Sequence, residues 1–241
     1  MYNYFADRYD ELTENIDYEA GSEYISGFLN EYGISEDSAL LDLACGTGTM
    51  SLLMKNRGYS VIGIDLSSEM LSVADHKAQG SIQFIKAGMQ DFNLPQPVDA
   101  CICCLDSLNH LESIEDVEST FKCVNASLRD GGIFIFDVNT EYKHNEVLAD
   151  NSFIFDEEDY FLAWDNELLG ENRVRIMLDF FVFNGENYDR YSEEFVETAY
   201  SEERLRSALE PYFEVLGVYD ELTKEPPKAE SQRIYFVCRK K

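Results

Sequence analysis

Long apolar runs and positive charge are both scarce in this sequence of 241 residues. No stretch of eighteen or more apolar residues occurs, which excludes an ordinary membrane-spanning helix. Nineteen Lys and Arg residues stand against 47 Asp and Glu residues, so the formal net charge is -28 at pH 7. Because so negative a surface repels phosphate groups, nucleic acids and anionic membranes are disfavoured as partners. We interpret the excess acid mainly as a solvated surface.

Targeting and metal-binding signals are also missing. The first residues lack the basic-then-apolar layout of a secretory signal, which predicts a cytoplasmic protein. The six cysteines do not form the paired C-x-x-C spacings of a zinc site, and the three histidines are scattered. Three of the cysteines lie in the apolar segment ACICCL (100–105), where a free thiol acts as a small hydrophobe. We therefore expect no metal.

Between residues 39 and 138 the sequence alternates short apolar runs with amphipathic stretches. Strands are predicted over 39–44, 60–65, 82–87, 100–105 and 133–138, with helices over 49–58, 67–80 and 113–132. Two further helices are predicted over 4–15 and 19–33. Apolar strands that alternate with helices indicate a parallel sheet covered on both faces.

The pattern changes after residue 150. Four β-rich runs, 152–158, 160–169, 173–184 and 190–200, predict an antiparallel meander. A helix over 201–212 and strands over 213–222 and 231–240 follow. Because no helix separates these last two strands, they must pair antiparallel. We predict a helical cap (1–38), a cofactor-binding core (39–148), a lid formed by the meander (149–200), and a C-terminal segment that completes the core (201–241).

The turn ACGTG (44–48) joins the first predicted strand to a helix. Glycine permits close approach of a ligand, and N–H groups at a helix N-terminus can bind one. Asp65 ends the second strand about seventeen residues after Gly48, near the position of the ribose-binding acid in a dinucleotide fold. A nicotinamide or flavin fingerprint needs G-x-G-x-x-G/A, but Ser51 occupies its last position. A turn that only tightens packing explains the glycines but not Asp65.

Several segments together resemble the motifs of class I S-adenosylmethionine-dependent methyltransferases. These segments are LLDLACGTGTMS (40–51), VIGIDLSSEML (61–71), FIKAGMQDFNLP (84–95), VDACICCLDSLNHL (98–111) and LRDGGIFIFDVNT (128–140), with YFADRYDEL (4–12) similar to an aromatic cap helix. Ala44 replaces the first glycine of that family's first motif. The resemblance implies an α/β fold with a seven-stranded Rossmann-like sheet of order 3-2-1-4-5-7-6, strand 7 antiparallel, and an inserted β-meander.

The resemblance also implies which residues bind S-adenosylmethionine. They are Tyr9, Asp42, Ala44, Cys45, Gly46, Gly48, Asp65, Leu66, Met70, Met89, Gln90, Asp91 and Leu105. Asp42 is expected near the amino group of the cofactor, and Asp65 on its ribose hydroxyls. Gly88 stands where the family often has an acid, so Gln90, Asp91 or water must contact the adenine amine.

The acceptor is expected to be a small molecule methylated on nitrogen or oxygen. His110 is the candidate base because imidazole titrates near neutral pH; alternatively, Asn109 and His110 simply begin the next helix. Asp106, Asn109, Asn139 and Trp164 are the expected pocket residues. Two other hypotheses remain: a non-catalytic cofactor-binding protein, and a nicotinamide oxidoreductase, which the missing third glycine opposes.

Overall fold

The computed structural model describes residues 6, 9–10, 13, 16–158 and 160–241. The helix predicted over 4–15 therefore lies largely outside the described residues. From residue 16 onward the α-helices are α1 (Tyr18–Glu31), α2 (Thr49–Asn56), α3 (Ser68–Ala78), α4 (Ile114–Ser127) and α5 (Glu202–Leu209). Side chains begin several of them: Asp17, Ser67, Ser113 and Ser201 each accept a backbone N–H in the first turn of their helix.

Seven strands form the main sheet. They are β1 (Ala39–Leu43), β2 (Ser60–Asp65), β3 (Gln83–Lys86), β4 (Val98–Cys103), β5 (Leu128–Asn139), β10 (Phe213–Asp220) and β11 (Arg233–Lys240). Their spatial order is β10-β11-β5-β4-β1-β2-β3, and β11 runs antiparallel to both of its neighbours. The predicted Rossmann-like sheet and its order are confirmed, since β10 and β11 are the sixth and seventh strands of the core.

The remaining four strands form a second, antiparallel sheet. They are β6 (Ser152–Asp156), β7 (Tyr160–Gly170), β8 (Arg173–Phe183) and β9 (Tyr188–Thr198), paired in chain order. We call this sheet the lid. Its two apolar clusters lie around Val174 and Ile176 and around Leu162 and Phe180. The predicted meander is confirmed as a sheet of its own.

Two local predictions were wrong. Helix α4 ends at Ser127 rather than at 132, because Leu128 pairs with Val98 and already belongs to β5. Asn109 and His110 do not begin α4; they lie in a separate short 3-10 turn, Ser107–His110, which ends four residues before that helix. A π-helical turn, Lys143–Leu148, follows β5 and was not predicted.

The main sheet is covered on both faces. Phe121, Phe134 and Phe136 pack on one face with α4 and α5, and Phe28 and Met54 pack on the other with α1 and α2. The thiols of ACICCL are buried, as expected. Within the described ranges, no helix is both long and apolar enough to cross a membrane.

Candidate functional site

The turn after β1 is built for close approach of a ligand. Gly46 and Gly48 have φ of +54° and +75°. A Cβ on Gly48 would lie 3.0 Å from the Cβ of Ala74 and 3.2 Å from Cζ of Phe84, so a side chain here would crowd the packing of α3 and β3 as well as strain the backbone. A Cβ on Gly46 would have no described atom within 4 Å. Gly46 therefore leaves open space beside the N-terminus of α2, whereas Gly48 serves the packing.

Asp65 bonds this turn to the start of the next helix. Its Oδ2 accepts the Gly46 N–H at 2.9 Å, and its Oδ1 accepts the Ser67 N–H at 2.8 Å. Leu66 follows with 69% of its surface exposed, which is unusual for a leucine beside a buried strand. Met70 lies half-buried on the first turn of α3. A carboxylate flanked by open apolar surface fits a ribose with an adenine beside it.

Asp42 is buried beneath the same turn, with 2% of its surface exposed. Its Oδ2 accepts the Ser51 hydroxyl at 2.5 Å. Burial raises the pKa of Asp42 to about 7, and the Asp65 carboxylate adds to the effect. A cationic amino group nearby would therefore favour ionisation of Asp42.

The segment after β3 folds back on itself. The Asp91 N–H donates to the Gly88 carbonyl at 3.2 Å. Gln90 and Asp91 are exposed, whereas Met89 is half-buried, with its Sδ 3.9 Å from Sγ of Cys103. Gln90 and Asp91 are thus accessible to a ligand, and their adenine contacts stay a prediction.

Asp10 joins the cap to the glycine turn. Its Oδ1 accepts the hydroxyls of Thr47 and Thr49 at 2.6 and 2.9 Å, and its Oδ2 lies 2.5 Å from Nζ of Lys77. Burial opposes ionisation, but the bonds from Lys77 and Thr47 hold the pKa of Asp10 below its usual value. Sequence reasoning missed this residue, because nothing local links it to positions 37 to 67 residues away.

Tyr9 lies close to two of the site's carboxylates. Burial raises the pKa of the Tyr9 phenol, and the charges of Asp106 and Asp65 contribute to the rise. The pKa of Tyr18 is raised by burial as well, with Asp106 again among the charges that contribute. Tyr9 therefore lies near the carboxyl ends of β2 and β4, and Tyr18 lies near that of β4, where the acceptor is expected.

The turn after β4 is held by a buried carboxylate. Leu105 and Asp106 have φ of +57° and +52°, a conformation that side chains other than glycine adopt at a cost. Their N–H groups bond the two oxygens of Asp137 at 2.8 and 2.9 Å. Arg233 of β11 donates to Asp137 and, at 2.8 Å, to Asp106. Asp137 thus supports the turn that carries the predicted cofactor and pocket residues.

The ionisation of these carboxylates differs. Burial opposes the charge of Asp106, but Arg233, Lys143 and His110 lower its pKa below the usual value. Burial raises the pKa of Asp137 despite Arg233. Asp106 is therefore the ionised partner of Arg233 that lies nearer the cleft.

Asn139, at the end of β5, connects this turn to the lid. Its Nδ2 donates to Asp106 at 2.6 Å and to Oε2 of Glu197 in β9 at 3.1 Å. Lys143 of the π-helical turn donates to Oδ1 of Asn139 at 2.9 Å. Burial lowers the pKa of Lys143, as does the neighbouring Arg233. Sequence reasoning missed Lys143, Glu197 and Arg233, which follow no recognisable motif.

The other predicted pocket residues are placed differently. Asn109 is fully buried, and its amide bonds the carbonyls of Asn139 and Thr198 at 3.2 and 3.0 Å, so it joins the 3-10 turn to the lid. His110 is exposed, with its ring centroid 5.1 Å from that of Phe195 in β9. Trp164 is half-buried within the lid and donates to Oδ1 of Asn166 at 2.7 Å. The structure thus groups Asp106, Asn109 and Asn139, with His110 at their rim.

The surroundings of the predicted cofactor residues fit S-adenosylmethionine. The open side of Gly46, the Asp65 carboxylate, the exposed Leu66 and the buried Asp42 lie along the carboxyl ends of β1 and β2. This is where α/β sheets bind nucleotides. The site therefore offers acceptors for hydroxyls, an apolar surface for a base and an acid for an ammonium group.

Comparison with known proteins agrees with this geometry. A family model described as a methyltransferase domain matches residues 40–132. The chain is 36% identical over 246 residues to the putative methyltransferase YqeM of Bacillus subtilis, covering 100% of this chain and 97% of that protein.

Solved structures show the same relation. The crystal structure of an S-adenosylmethionine-dependent methyltransferase from Clostridium acetobutylicum matches with a TM-score of 0.90 and 32% identity, covering 99% of this chain and 98% of that one. CalS10, an amino pentose methyltransferase from Micromonospora echinaspora solved with S-adenosylmethionine bound, shares the fold at a TM-score of 0.77 and 19% identity, covering 95% and 93% of the two chains. The chain belongs to the class I S-adenosylmethionine-dependent methyltransferases.

Proposed function

We propose that this methyltransferase modifies nitrogen or oxygen of a small molecule held between the carboxyl edge of the main sheet and the base of the lid. The junction at Asn139 carries the proposal, since one amide group bonds both Asp106 of the sheet edge and Glu197 of the lid. The lid is thus fastened beside the turn expected to face the sulfonium. An acceptor bound there is enclosed, which suits a small molecule better than a polymer.

Transfer of a methyl group from a sulfonium is an in-line displacement, and S-adenosylmethionine supplies the activated methyl group. The protein must align the acceptor, exclude water and remove a proton where the acceptor carries one. Tyr9, Tyr18 and Asp106 lie around the expected acceptor position. We assign the base to His110, at the rim against Phe195, and the outer wall of the pocket to Trp164.

The net charge of -28 also supports a small acceptor rather than a nucleic acid. CalS10, the neighbour solved with the cofactor bound, is described as an amino pentose methyltransferase. At 19% identity it shows the fold alone, and an amino sugar is one member of the acceptor class that we propose.

A labelling experiment tests the proposal without knowledge of the acceptor. The protein is incubated with methyl-labelled S-adenosylmethionine and a bacterial extract separated into low-molecular-weight, protein and nucleic acid fractions. We expect label in the low-molecular-weight fraction, and much less label at the same cofactor concentration with an Asp65→Ala variant as the matched control. Label confined to protein or nucleic acid would contradict the small acceptor. Cofactor binding without label in any fraction would favour the non-catalytic alternative.

A further inference from the structure

His144 is a fully buried histidine that the proposed methyl transfer does not use. It lies in the π-helical turn after β5, with 0% of its surface exposed. Its Nδ1 is 2.8 Å from the carbonyl oxygen of Asn172, in the turn between β7 and β8. Its Nε2 is 3.3 Å from Oε2 of Glu197 in β9, and that side chain is 6% exposed. One imidazole therefore contacts two separate parts of the lid.

These two contacts fix where the protons are. A backbone carbonyl only accepts hydrogen bonds, so Nδ1 of His144 must carry a proton. In a neutral ring Nε2 would then present a lone pair to the carboxylate of Glu197, and two acceptors would face each other in a buried site. Nε2 makes no hydrogen bond among the described residues, and a proton on it removes this conflict by pairing a charged ring with the carboxylate at 3.3 Å. The same Oε2 of Glu197 also accepts a hydrogen bond from Nδ2 of Asn139 at 3.1 Å.

The surrounding charges favour a cation at this position. Glu197 faces the ring from β9, and the same carboxylate lies near Lys143 of the ring's own turn. Two cations, Lys143 and Arg233, lie near four carboxylates. These are Asp106, Asp137, Glu197 and Glu221. A protonated His144 brings three cations against four carboxylates, of which Glu221 is exposed and the other three lie inside the fold.

We propose that His144 is a positioning residue of the acceptor site, which holds a proton on Nε2 against the Glu197 carboxylate and so fixes the base of β9 at the carboxyl edge of the main sheet. The effect reaches the cleft through Glu197 and Asn139, which bonds Asp106. The inference rests on the proposed function, because it takes the junction of lid and sheet edge as the acceptor site.

Nuclear magnetic resonance tests the proton directly. In long-range nitrogen–proton spectra the two ring nitrogens of an imidazolium resonate close together, whereas those of a neutral ring are widely separated. Only three histidines occur, and exposed His76 and His110 give comparison signals in the same sample. We expect both nitrogens of His144 to be protonated at neutral pH. A neutral His144 ring with an unprotonated Nε2 overturns the proposal.

Two variants separate this role from simple packing. His144→Gln keeps a permanent N–H donor toward Glu197, whereas His144→Asn keeps a donor only toward the Asn172 carbonyl. We expect backbone amides near Glu197 in β9 to exchange at least about tenfold faster in the Asn variant, since a buried carboxylate loses its partner. In the Gln variant they should exchange nearly as in the wild type. Equal exchange in the two variants, or faster exchange in the Gln variant, contradicts the proposal.

The affinity for S-adenosylhomocysteine is the control. It should stay unchanged in both variants, because His144 itself contacts Asn172 and Glu197, which are not among the predicted cofactor residues. None of these measurements needs an acceptor. A failure to label small molecules would therefore overturn the proposed function while leaving the proton on His144 established, and a neutral ring would do the reverse.

Discussion

The proposed cofactor end and the proposed acceptor end of the cleft are built by different means. At the cofactor end the site is formed mainly by the backbone. Residues with positive φ shape the turn, and the N–H of Gly46 bonds Asp65, which lies 19 residues further along the chain. At the acceptor end a buried side-chain network connects three parts of the chain, and the Asp106–Arg233 bond spans 127 residues. The residues of the first end lie close together in the sequence and form a motif. The residues of the second end lie far apart in the sequence and meet only when the chain folds.

The largest expected effect comes from breaking the network that supports the acceptor end. Asp137→Ala leaves Arg233 without one buried partner and leaves the N–H groups of Leu105 and Asp106 unpaired. Removing one partner of a buried ion pair costs about 3–5 kcal/mol of unfolding free energy. Urea unfolding measures the loss. Asp137→Asn, which keeps one acceptor oxygen, is the control and should lose less; equal stability of Asp137→Ala and the wild type would contradict the support role.

A smaller effect is expected from breaking the cofactor end. Asp65→Ala should weaken binding of S-adenosylhomocysteine by about 1.5–3 kcal/mol, the usual range for hydrogen bonds to a charged group. Calorimetry measures the change, and Asp65→Asn should lose less. Trp164→Ala is the matched lid control and should keep the affinity. If the Trp164 variant loses as much affinity as the Asp65 variant, the two ends are not separate.

The buried acid at the cofactor end should make binding pH-dependent. The pKa of Asp42 is about 7 in the folded chain, raised by burial above its usual value, so Asp42 holds a proton below pH 7. An ammonium group bound beside it favours the carboxylate and releases that proton. Affinity for S-adenosylhomocysteine should therefore rise with pH toward 7, by at most about tenfold per pH unit.

Calorimetry slightly below pH 7, in buffers that differ in ionisation enthalpy, counts the released protons. Asp42→Asn is the control and should abolish the release while the protein stays folded. The same release from the Asn variant would assign the proton to another group.

Sequence and structure agree where the signal is local. The strands and the change to a β-rich pattern after residue 150 were predictable, because runs of apolar residues and their spacing are visible in neighbouring residues. The strand order was predicted from the resemblance to the methyltransferase motifs. So was the 44–48 turn, which resembles a known motif. The roles of three charged residues were not predictable: Arg233, Glu197 and Lys143. The sequence around a charged residue in a strand or a turn does not show which distant residue it pairs with in the fold. The early end of α4 was missed because its helical pattern continues into Leu128, where pairing with Val98 decides the strand.

The smallest effect concerns the one place where the cofactor turn departs from its motif. Ala44 has φ of +59°, a conformation that costs an L-residue about 1–2 kcal/mol. Glycine removes that cost but loses about 0.5–1 kcal/mol through chain entropy, so Ala44→Gly should stabilise the fold by about 0.5–1 kcal/mol. Urea unfolding measures the gain, with Ala74→Gly in helix α3 as the destabilised control. A less stable Ala44→Gly variant would show that the methyl group of Ala44 contributes packing.

The central claim is that the cofactor binds to the main sheet, whereas the lid contacts the acceptor. Amide hydrogen exchange with and without S-adenosylhomocysteine tests this claim most directly. We predict protection in the segments 42–48, 65–70, 88–91 and 104–106, with the strands of the lid unchanged, because the predicted cofactor contacts lie at the carboxyl ends of β1 to β4. Protection concentrated in β7, β8 and β9, with the glycine turn unchanged, would contradict this division of the molecule.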